Sequence, residues 1–503
     1  MPPAEDAPRA LGELLRAAGL SAPAGLAQAG VTGLTCDSRA VRPGMLFVAV
    51  RGFSVDGHRF VADAVRAGAV AAVVEAAAGD VAAPQVVAGD SRRALAQLAQ
   101  AWHGQPADGL RAYGVTGTNG KTTTTFLLRS VLEAAGGRPA VLGTTGYHFP
   151  EGAQEAPHTT PEAPELWALL AEARRQRCDA VVMEVSSHAL KLRRTYGLPF
   201  DAVAFTNLTR DHLDFHPDFG DYRESKMRLF EPWEAEPWRK PRAASLNLDD
   251  PEGARFAARA KTAPTWTFSR LPAAAADVSA LRETLGPDGS AFSLRWPGGE
   301  FAVELKLAGP YNVSNALTAA SLALQTGVPA EAVRRGLESV RGVPGRLEAV
   351  RHGQPFAVWV DYAHTPDALE RVLQAAREAV AGRLICVFGC GGDRDPGKRA
   401  PMGAVATRLA DFTVVTSDNP RTEDPAKILE DIRPGLSADS LRWVMDVDRR
   451  RAIGRALSAA RPRDGVVIAG KGHEDYQIVG TVKHPFDDRQ VAREALTALG
   501  HRP

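Results

Sequence analysis

The sequence predicts an α/β protein of three domains, with mostly parallel sheets in the second and third. Three observations predict it. The chain has 503 residues, beyond the size at which one hydrophobic core keeps growing. Short apolar runs alternate with amphipathic stretches through most of its length, the pattern of strands buried on both faces and followed by helices. Two Gly/Pro-rich breaks, HGQPADG at 103–109 and RGVPGRLE at 341–348, divide that pattern. The expected domains are 1–105, 106–342 and 343–503.

In the first domain, β-type runs at 45–50, 69–75 and 85–88 alternate with Ala-rich helical stretches at 60–67 and 91–102. The second opens with a strand at 112–116 and continues with a helix over 122–135, a strand at 140–143, a helix over 164–174 and strands at 180–184 and 202–207. A β-rich insert follows around 265–307, where AFSLRWP and EFAVELKL alternate over turn residues. Helices over 312–325 and 330–338 close the domain. The third brings PFAVWVDYA, a helix over 367–379, and the strands RLICVFGC, DFTVVTSD and GVVIAGKG.

Hydrophobic residues make up 45% and charged ones 24%, ordinary globular usage that argues against disorder. The net charge of +1 gives no global field for nucleic acid or an anionic membrane, so any anion must meet a local site. Four scattered cysteines do not make a disulfide scaffold or a structural zinc site. The first residues lack the pattern of a secretory signal, and the most apolar stretch, 67–79, is short and carries Glu75. A cytoplasmic monomer without membrane insertion is expected.

The sharpest local signal is GVTGTNGKTTTT at 114–125, between the strand-like AYGV and the amphipathic FLLRSVLEAAG. Strand, glycine loop, Lys-Thr and helix together point backbone N–H groups and a positive helix end at a polyphosphate. The spacing is a variant, with Val115 where the usual eight-residue pattern begins with glycine. Gly117, Thr118, Asn119, Gly120, Lys121, Thr122 and Thr123 are the expected ATP-binding loop, with Lys121 offsetting phosphate charge and the Thr122 hydroxyl ligating Mg²⁺.

That loop, with TTP (159–161), MEVSSHAL (183–190), FTNLTRDHLDFH (205–216), YNVSNALTA (311–319), PGRLE, VDYAHTPDALE (360–370), VFGCGGDRDPGKR (387–399), DNPRTEDP (418–425) and GKGHEDYQ (470–477), resembles the Mur ligases. These are ATP-dependent amino-acid ligases of cell-wall precursor synthesis, and the later strings resemble the branch that forms the tripeptide. The resemblance runs in order from about Asp37 to Gln477. It implies a uridine-nucleotide-binding domain, a central ATPase domain and a C-terminal Rossmann-like domain for the amino acid.

The resemblance also implies roles. Glu184, at the end of the apolar run DAVVME, and His212 would bind Mg²⁺. Lys226, which by composition alone lies on a polar helical stretch and reads as a solvated cation, would be carbamylated by CO₂ and become an anionic metal ligand. Lys121, Lys226, His212 and Glu184 are thus the expected catalytic set. Asn312, Arg346 and Asp361 would reach ATP, Arg346 on domain closure. Ser38, in the Asp37-Ser38-Arg39 turn and faced by the loop 52–58, would lie on the uridine side, and Thr159, Thr160, Ser186 and Arg194 would hold the muramoyl dipeptide. Leu192 stands where relatives often carry Gln.

Asp418, Asn419, Pro420 and Arg421 follow the strand DFTVVTS, at the edge where α/β sheets take ligands. A guanidinium grips a carboxylate through two parallel hydrogen bonds, so Arg421 suits an amino acid with an extra distal carboxylate. meso-Diaminopimelate has one; lysine and ornithine do not. By resemblance Arg394, Gly470 and Glu474 accompany it. The expected activity is ATP-dependent addition of meso-diaminopimelate to the D-glutamate side chain of UDP-N-acetylmuramoyl-L-alanyl-D-glutamate through an acyl phosphate. The same ligase using lysine or ornithine is the alternative, and a P-loop regulatory NTPase is the alternative of a different class. The GCGGDRDPGKR and DNPR strings disfavour a ligase adding D-Ala-D-Ala or a folylpolyglutamate synthase.

Overall fold

A computed structural model describes residues 7–52, 55–77, 79, 84–212, 214–231, 241–260, 264–271, 275–286 and 288–502. Phe53 and Ser54 of the loop 52–58, Leu213 of the 205–216 string, and the first six residues lie outside the described residues. The chain divides into two compact units, residues 1–268 with 318–333 and residues 269–317 with 334–503.

The first unit holds a two-stranded antiparallel pair, Arg9–Ala10 with Gly30–Val31, and two larger sheets. One is wholly parallel, Gly33–Thr35, Met45–Val48, Ala71–Val74 and Gln85–Val87 in that order. In the other, five parallel strands run in the order Pro139–Gly143, Ala180–Glu184, Arg111–Thr116, Ala202–Phe205 and Ala243–Asn247, with Thr265–Ser269 continuing parallel. Every residue of Ala180–Glu184 and of Ala202–Phe205 is buried, as unbroken apolar runs require of strands covered on both faces. Gly114 belongs to this packing, because a Cβ there would lie 2.8 Å from the Phe200 ring. An antiparallel hairpin, Gly146–Phe149 with Gly152–Gln154, extends the edge beside Pro139–Gly143.

The helices follow from their inward faces. Lys121–Ala134 buries Leu127, Leu128, Val131 and Leu132, while Arg129 and Glu133 pair outward at 2.7 Å. Its run of four threonines is a poor helix former, but all four are buried and the Thr125 hydroxyl donates to Thr122 O at 2.8 Å, inside the turn. Asp90 caps Ser91–Trp102 by accepting from Arg93 N at 2.9 Å, and that helix packs on Ala163–Arg175. One hydrophobic core therefore runs from the first sheet's helices to the second sheet.

The second unit carries an antiparallel meander, Val278–Gly286, Gly289–Trp296 and Gly299–Leu305, on the expected β-rich insert. It also carries a six-stranded sheet in the order Glu348–Ala349, Ala357–Asp361, Gly465–Ala469, Leu384–Phe388, Phe412–Thr416 and Trp443–Asp446, parallel except at its first strand. Aspartates 424, 448 and 487 cap three of its helices. No described helix is long and apolar enough to cross a membrane.

The expected strand over 202–207 ends two residues early. Thr206 and Asn207 turn their side chains to the phosphate loop instead, and Asn207 brackets Asn119 by accepting from its N–H at 2.9 Å and donating to its carbonyl at 3.0 Å. The hairpin at 146–154 was not expected, since its short half-polar strands lack a run.

Trp167, in the helix Ala163–Arg175, is fully buried in this core with its indole N–H unpartnered. Trp167→Ala is expected to cost about 3–5 kcal/mol of unfolding free energy in urea, whereas Trp167→Phe, which also removes the orphan donor, stays within about 1.5 kcal/mol. Equal losses would contradict this packing.

Candidate active site

The phosphate loop lies between the strand Arg111–Thr116 and the helix Lys121–Ala134. Gly117 has φ +148° and a Cβ there would sit 1.9 Å from Thr206 Oγ1, so only glycine fits; Gly120 begins the helix with φ +85°. The Thr118 N–H donates to Asn207 O at 2.8 Å, and its hydroxyl lies 2.9 Å from the Tyr222 hydroxyl. Lys121 folds back over its loop, Nζ donating to Gly117 O and Thr118 O, both at 2.9 Å. The first N–H groups of a helix lack intrahelical partners, which suits the end beginning at Lys121, Thr122 and Thr123 to an anion.

A second lysine shares that carbonyl. Lys226, in the helix Phe219–Met227, is only 1% exposed and donates to Gly117 O at 2.8 Å. The sequence reading of a solvated cation is therefore overturned: the helix carries a lysine into the core, where Tyr222 lies beneath it at 4.6 Å. Burial, with Lys121 as a neighbouring cation, holds its amine well below the ordinary lysine range.

Glu184 ends its strand 1% exposed, and the Thr122 hydroxyl donates to its Oε1 at 2.9 Å. Thr144 donates to the same carboxylate from its N–H at 2.8 Å and its hydroxyl at 3.2 Å. Burial lowers the His212 pKa, with Lys121 and Lys226 acting in the same direction against Asp211. Among the described residues no three His, Cys, Asp or Glu side chains converge as a ready-made cage, and the expected set holds only two of those types. Its chemistry nonetheless fits Mg²⁺ and a carbamate: a hydroxyl and a carboxylate in contact, and an imidazole and a buried amine whose charged forms burial disfavours, the neutral amine being the form that takes up CO₂.

The expected dipeptide residues meet the same strand end. The Thr160 hydroxyl donates to Glu184 O at 2.9 Å and accepts from Ser186 N at 3.0 Å, and the Thr159 hydroxyl lies 3.1 Å from that of Thr144. Ser186 caps Ser187–Lys191. Arg194 donates to Thr160 O at 2.9 Å and pairs with Glu162 at 2.8 Å. Glu162 also faces Arg92 at 3.7 Å, and both act on Cys36, next to the capped turn Ser38–Ala40. Arg92 further donates to Leu192 O at 3.3 Å. Arg92 and Glu162, which tie the helix Ser91–Trp102 to the Arg194 segment, were missed.

Also missed was a polar chain that runs from the buried Ser187 and His216 to the part-exposed Asp221. His216 Nδ1 lies 2.6 Å from Asp221 Oδ2 and its Nε2 lies 3.0 Å from Ser187 Oγ, while His188 stacks on Phe215. Ser187 is fully buried, so the trio ties two helices together and offers no nucleophile.

In the second unit, the loops after Phe412–Thr416 and Gly465–Ala469 bring Asp418, Asn419, Pro420, Arg421, Gly470 and Glu474 together. Asn419 donates to Glu474 at 2.8 Å and accepts from the Ile478 N–H at 2.9 Å. Lys471, fully buried and not singled out in the sequence, donates to Asn419 at 3.2 Å and pairs with Glu474 at 3.1 Å. Asp418 Oδ2 is buried without a partner, and a Cβ on Gly470 would lie 2.5 Å from it. Arg421 has φ +51° and donates from Nη1 to Gly392 O at 2.8 Å, anchoring one corner of its guanidinium; Arg394 is exposed nearby. Asn312 donates to Ala308 O at 2.7 Å, and the Arg346 guanidinium lies 5.3 Å from the Tyr362 ring centre. Asp361 accepts from the N–H groups of Leu347 and Ala363 at 2.7 and 2.8 Å.

With this geometry in view, comparison with known proteins decides the family. The Mur ligase family catalytic domain matches residues 30–103, the Mur ligase middle domain 115–323, and the Mur ligase glutamate ligase domain 345–472. A UDP-N-acetylmuramoyl-L-alanyl-D-glutamate–2,6-diaminopimelate ligase of Syntrophomonas wolfei is 46% identical over 470 residues, 93% of this chain and 94% of that one. This chain belongs to the Mur ligase family. A second such ligase, of Gloeobacter violaceus, is 47% identical over 97% of this chain and 98% of its own. The solved structure of a UDP-N-acetylmuramoyl-L-alanyl-D-glutamate–2,6-diaminopimelate ligase superposes with TM-score 0.71 at 35% identity, covering 98% of this chain and all of that one. The MurF ligase of Thermotoga maritima, solved with ADP, shares the fold at TM-score 0.59 and 19% identity, covering 93% of this chain and 96% of that one.

Burial raises the Asp361 carboxyl to about 6, against the lowering by Arg346 and the two N–H groups. A raised carboxyl favours folding below its unfolded value and loses that advantage as pH climbs through the folded one, so wild type should lose stability relative to Asp361→Asn between about pH 4 and 6, by about 3 kcal/mol at most. Urea titrations at several pH values check this; a constant difference would refute it.

Proposed function

We propose that the chain is an ATP-dependent ligase joining meso-diaminopimelate to the D-glutamate side-chain carboxylate of UDP-N-acetylmuramoyl-L-alanyl-D-glutamate, in three domains divided near residues 105 and 342, as a cytoplasmic monomer. One observation carries the reading: Lys121, Lys226, Thr122 and Glu184 converge on Gly117 O and one carboxylate, in a chain similar end to end to named diaminopimelate ligases.

The loop 117–123 binds the phosphates of ATP, with Lys121 leaving its two carbonyls to meet them. Asn312, Arg346 and Asp361 contact the nucleotide. Thr122, Glu184, His212 and carbamylated Lys226 hold Mg²⁺, which supplies positive charge to offset the transferring phosphoryl group. Ser38 serves the uridine end, and Thr159, Thr160, Ser186 and Arg194 orient the dipeptide so that its carboxylate faces the γ-phosphate.

The carboxylate oxygen forms a bond to the γ-phosphorus as the bond to ADP breaks, giving an acyl phosphate. The amine nitrogen then attacks the acyl carbon, phosphate departs with the carbon–oxygen bond pair, and the nitrogen loses a proton. Arg421 and Arg394 receive the distal carboxylate, while Asp418, with its buried free oxygen, Asn419 and Glu474 receive the distal ammonium beside Gly470 and Pro420.

Product mass tests this. With ATP, Mg²⁺ and the UDP-dipeptide, meso-diaminopimelate should be incorporated once for each ADP released, and lysine and ornithine should not. ADP formation without a coupled product would favour a regulatory NTPase; incorporation of lysine or ornithine instead would defeat the Arg421 argument. Lys121→Ala should lower kcat at least about 10²-fold. With ¹³C-labelled CO₂, wild type should show a carbamate carbon resonance that Lys226→Ala lacks.

A further inference from the structure

The strands Phe412–Thr416 and Gly465–Ala469 lead into the loops 418–421 and 470–474, yet they are not neighbours, since Leu384–Phe388 runs between them. No ladder hydrogen bond joins their ends directly; each is laddered to the strand between them. Arg449 bridges the two ends. Both it and Asp488 have fully buried side chains, and the guanidinium grips the carboxylate in parallel, Nε at 2.8 Å and Nη2 at 2.6 Å. The same guanidinium donates from Nη1 to Ser417 O at 3.2 Å and from Nη2 to Ala469 O at 3.0 Å. Those carbonyls belong to the residues directly before Asp418 and Gly470.

Gly389, directly after the intervening strand, packs so close to the first of these loops that a Cβ would lie 2.2 Å from Thr416 O and 2.9 Å from Asp418 N. The brace is itself anchored, because Arg449 and Asp488 are the first residues of the helices Arg449–Ala459 and Asp488–Ala498, capped by Asp448 and Asp487. The inner residues of both helices share one apolar cluster with the sheet.

We propose that Arg449, held by Asp488, is a positioning residue for the incoming amino acid: it sets the separation of the two loops that bind the distal end of that substrate. This rests on the amino-acid role given above to residues 418–421 and 470–474. One planar fork serves a carboxylate and two carbonyls at once, which an ammonium on a flexible stem cannot do.

Two variants of the full-length enzyme test it. Arg449→Lys keeps the buried charge paired but loses the fork. The double variant Arg449→Met/Asp488→Leu replaces the pair with apolar volume, an exchange that buried ion pairs tolerate, and likewise loses both carbonyl contacts. In folded protein, each should raise KM for meso-diaminopimelate about tenfold or more, with kcat and the KM values for ATP and UDP-dipeptide held within about threefold. An unchanged amino-acid KM in either folded variant overturns the proposal, as does a parallel rise in all three KM values. Arg421→Ala is the control. If it raises the amino-acid KM while the brace variants do not, only the brace fails; if it leaves that KM unchanged, the site reading falls and the brace with it.

Discussion

A parallel strand buried on both faces can offer polar chemistry only where it ends, and this constraint organises both units. Ala180–Glu184 is buried throughout and delivers its carboxylate at its last residue. Arg111–Thr116 runs buried into the phosphate loop, Phe412–Thr416 into Asp418, and Gly465–Ala469 into Gly470. Each apolar run works as a rigid stem whose packing energy fixes a polar tip, so placement depends on cores that have no chemical role themselves.

Charge is the second organising element. Two lysines share the carbonyl of Gly117, and burial resolves the conflict between them by favouring the neutral form of Lys226. Elsewhere charge is kept and paired: Glu162 lies half-buried between Arg92 and Arg194, and the buried Lys471 is matched by Glu474 and Arg449 by Asp488. Removing one member of such a group strands the other in a low dielectric, which makes these clusters stiff supports.

The parts legible in the sequence are those whose chemistry is written on neighbouring residues. The phosphate loop, the strand-end Glu184 and the Asp418–Arg421 turn all combine a local pattern with a local consequence. The burial of Lys226 was not legible, because Phe219, Tyr222 and Met227 are scattered among the polar residues of their helix and mark no strong inward stripe. Arg92 and Glu162 are 70 positions apart in number, and Arg449 lies 32 positions from Ser417; only the folded chain brings such pairs together. The strand expected to reach residue 207 stops at Phe205 because Thr206 and Asn207 serve the loop, where a side-chain contact overrides a run of apolar residues.

The trio of Ser187, His216 and Asp221, whose serine is sealed from solvent, carries a lesson for recognising enzymes by shape. Its spacings are those of a charge-aligned hydrolase, and a coordinate template drawn only from interatomic distances would retrieve it. No carbonyl can approach a hydroxyl with zero exposed area. Libraries of such templates therefore need an access criterion beside their geometric one, and this fold supplies a decoy against which to calibrate it.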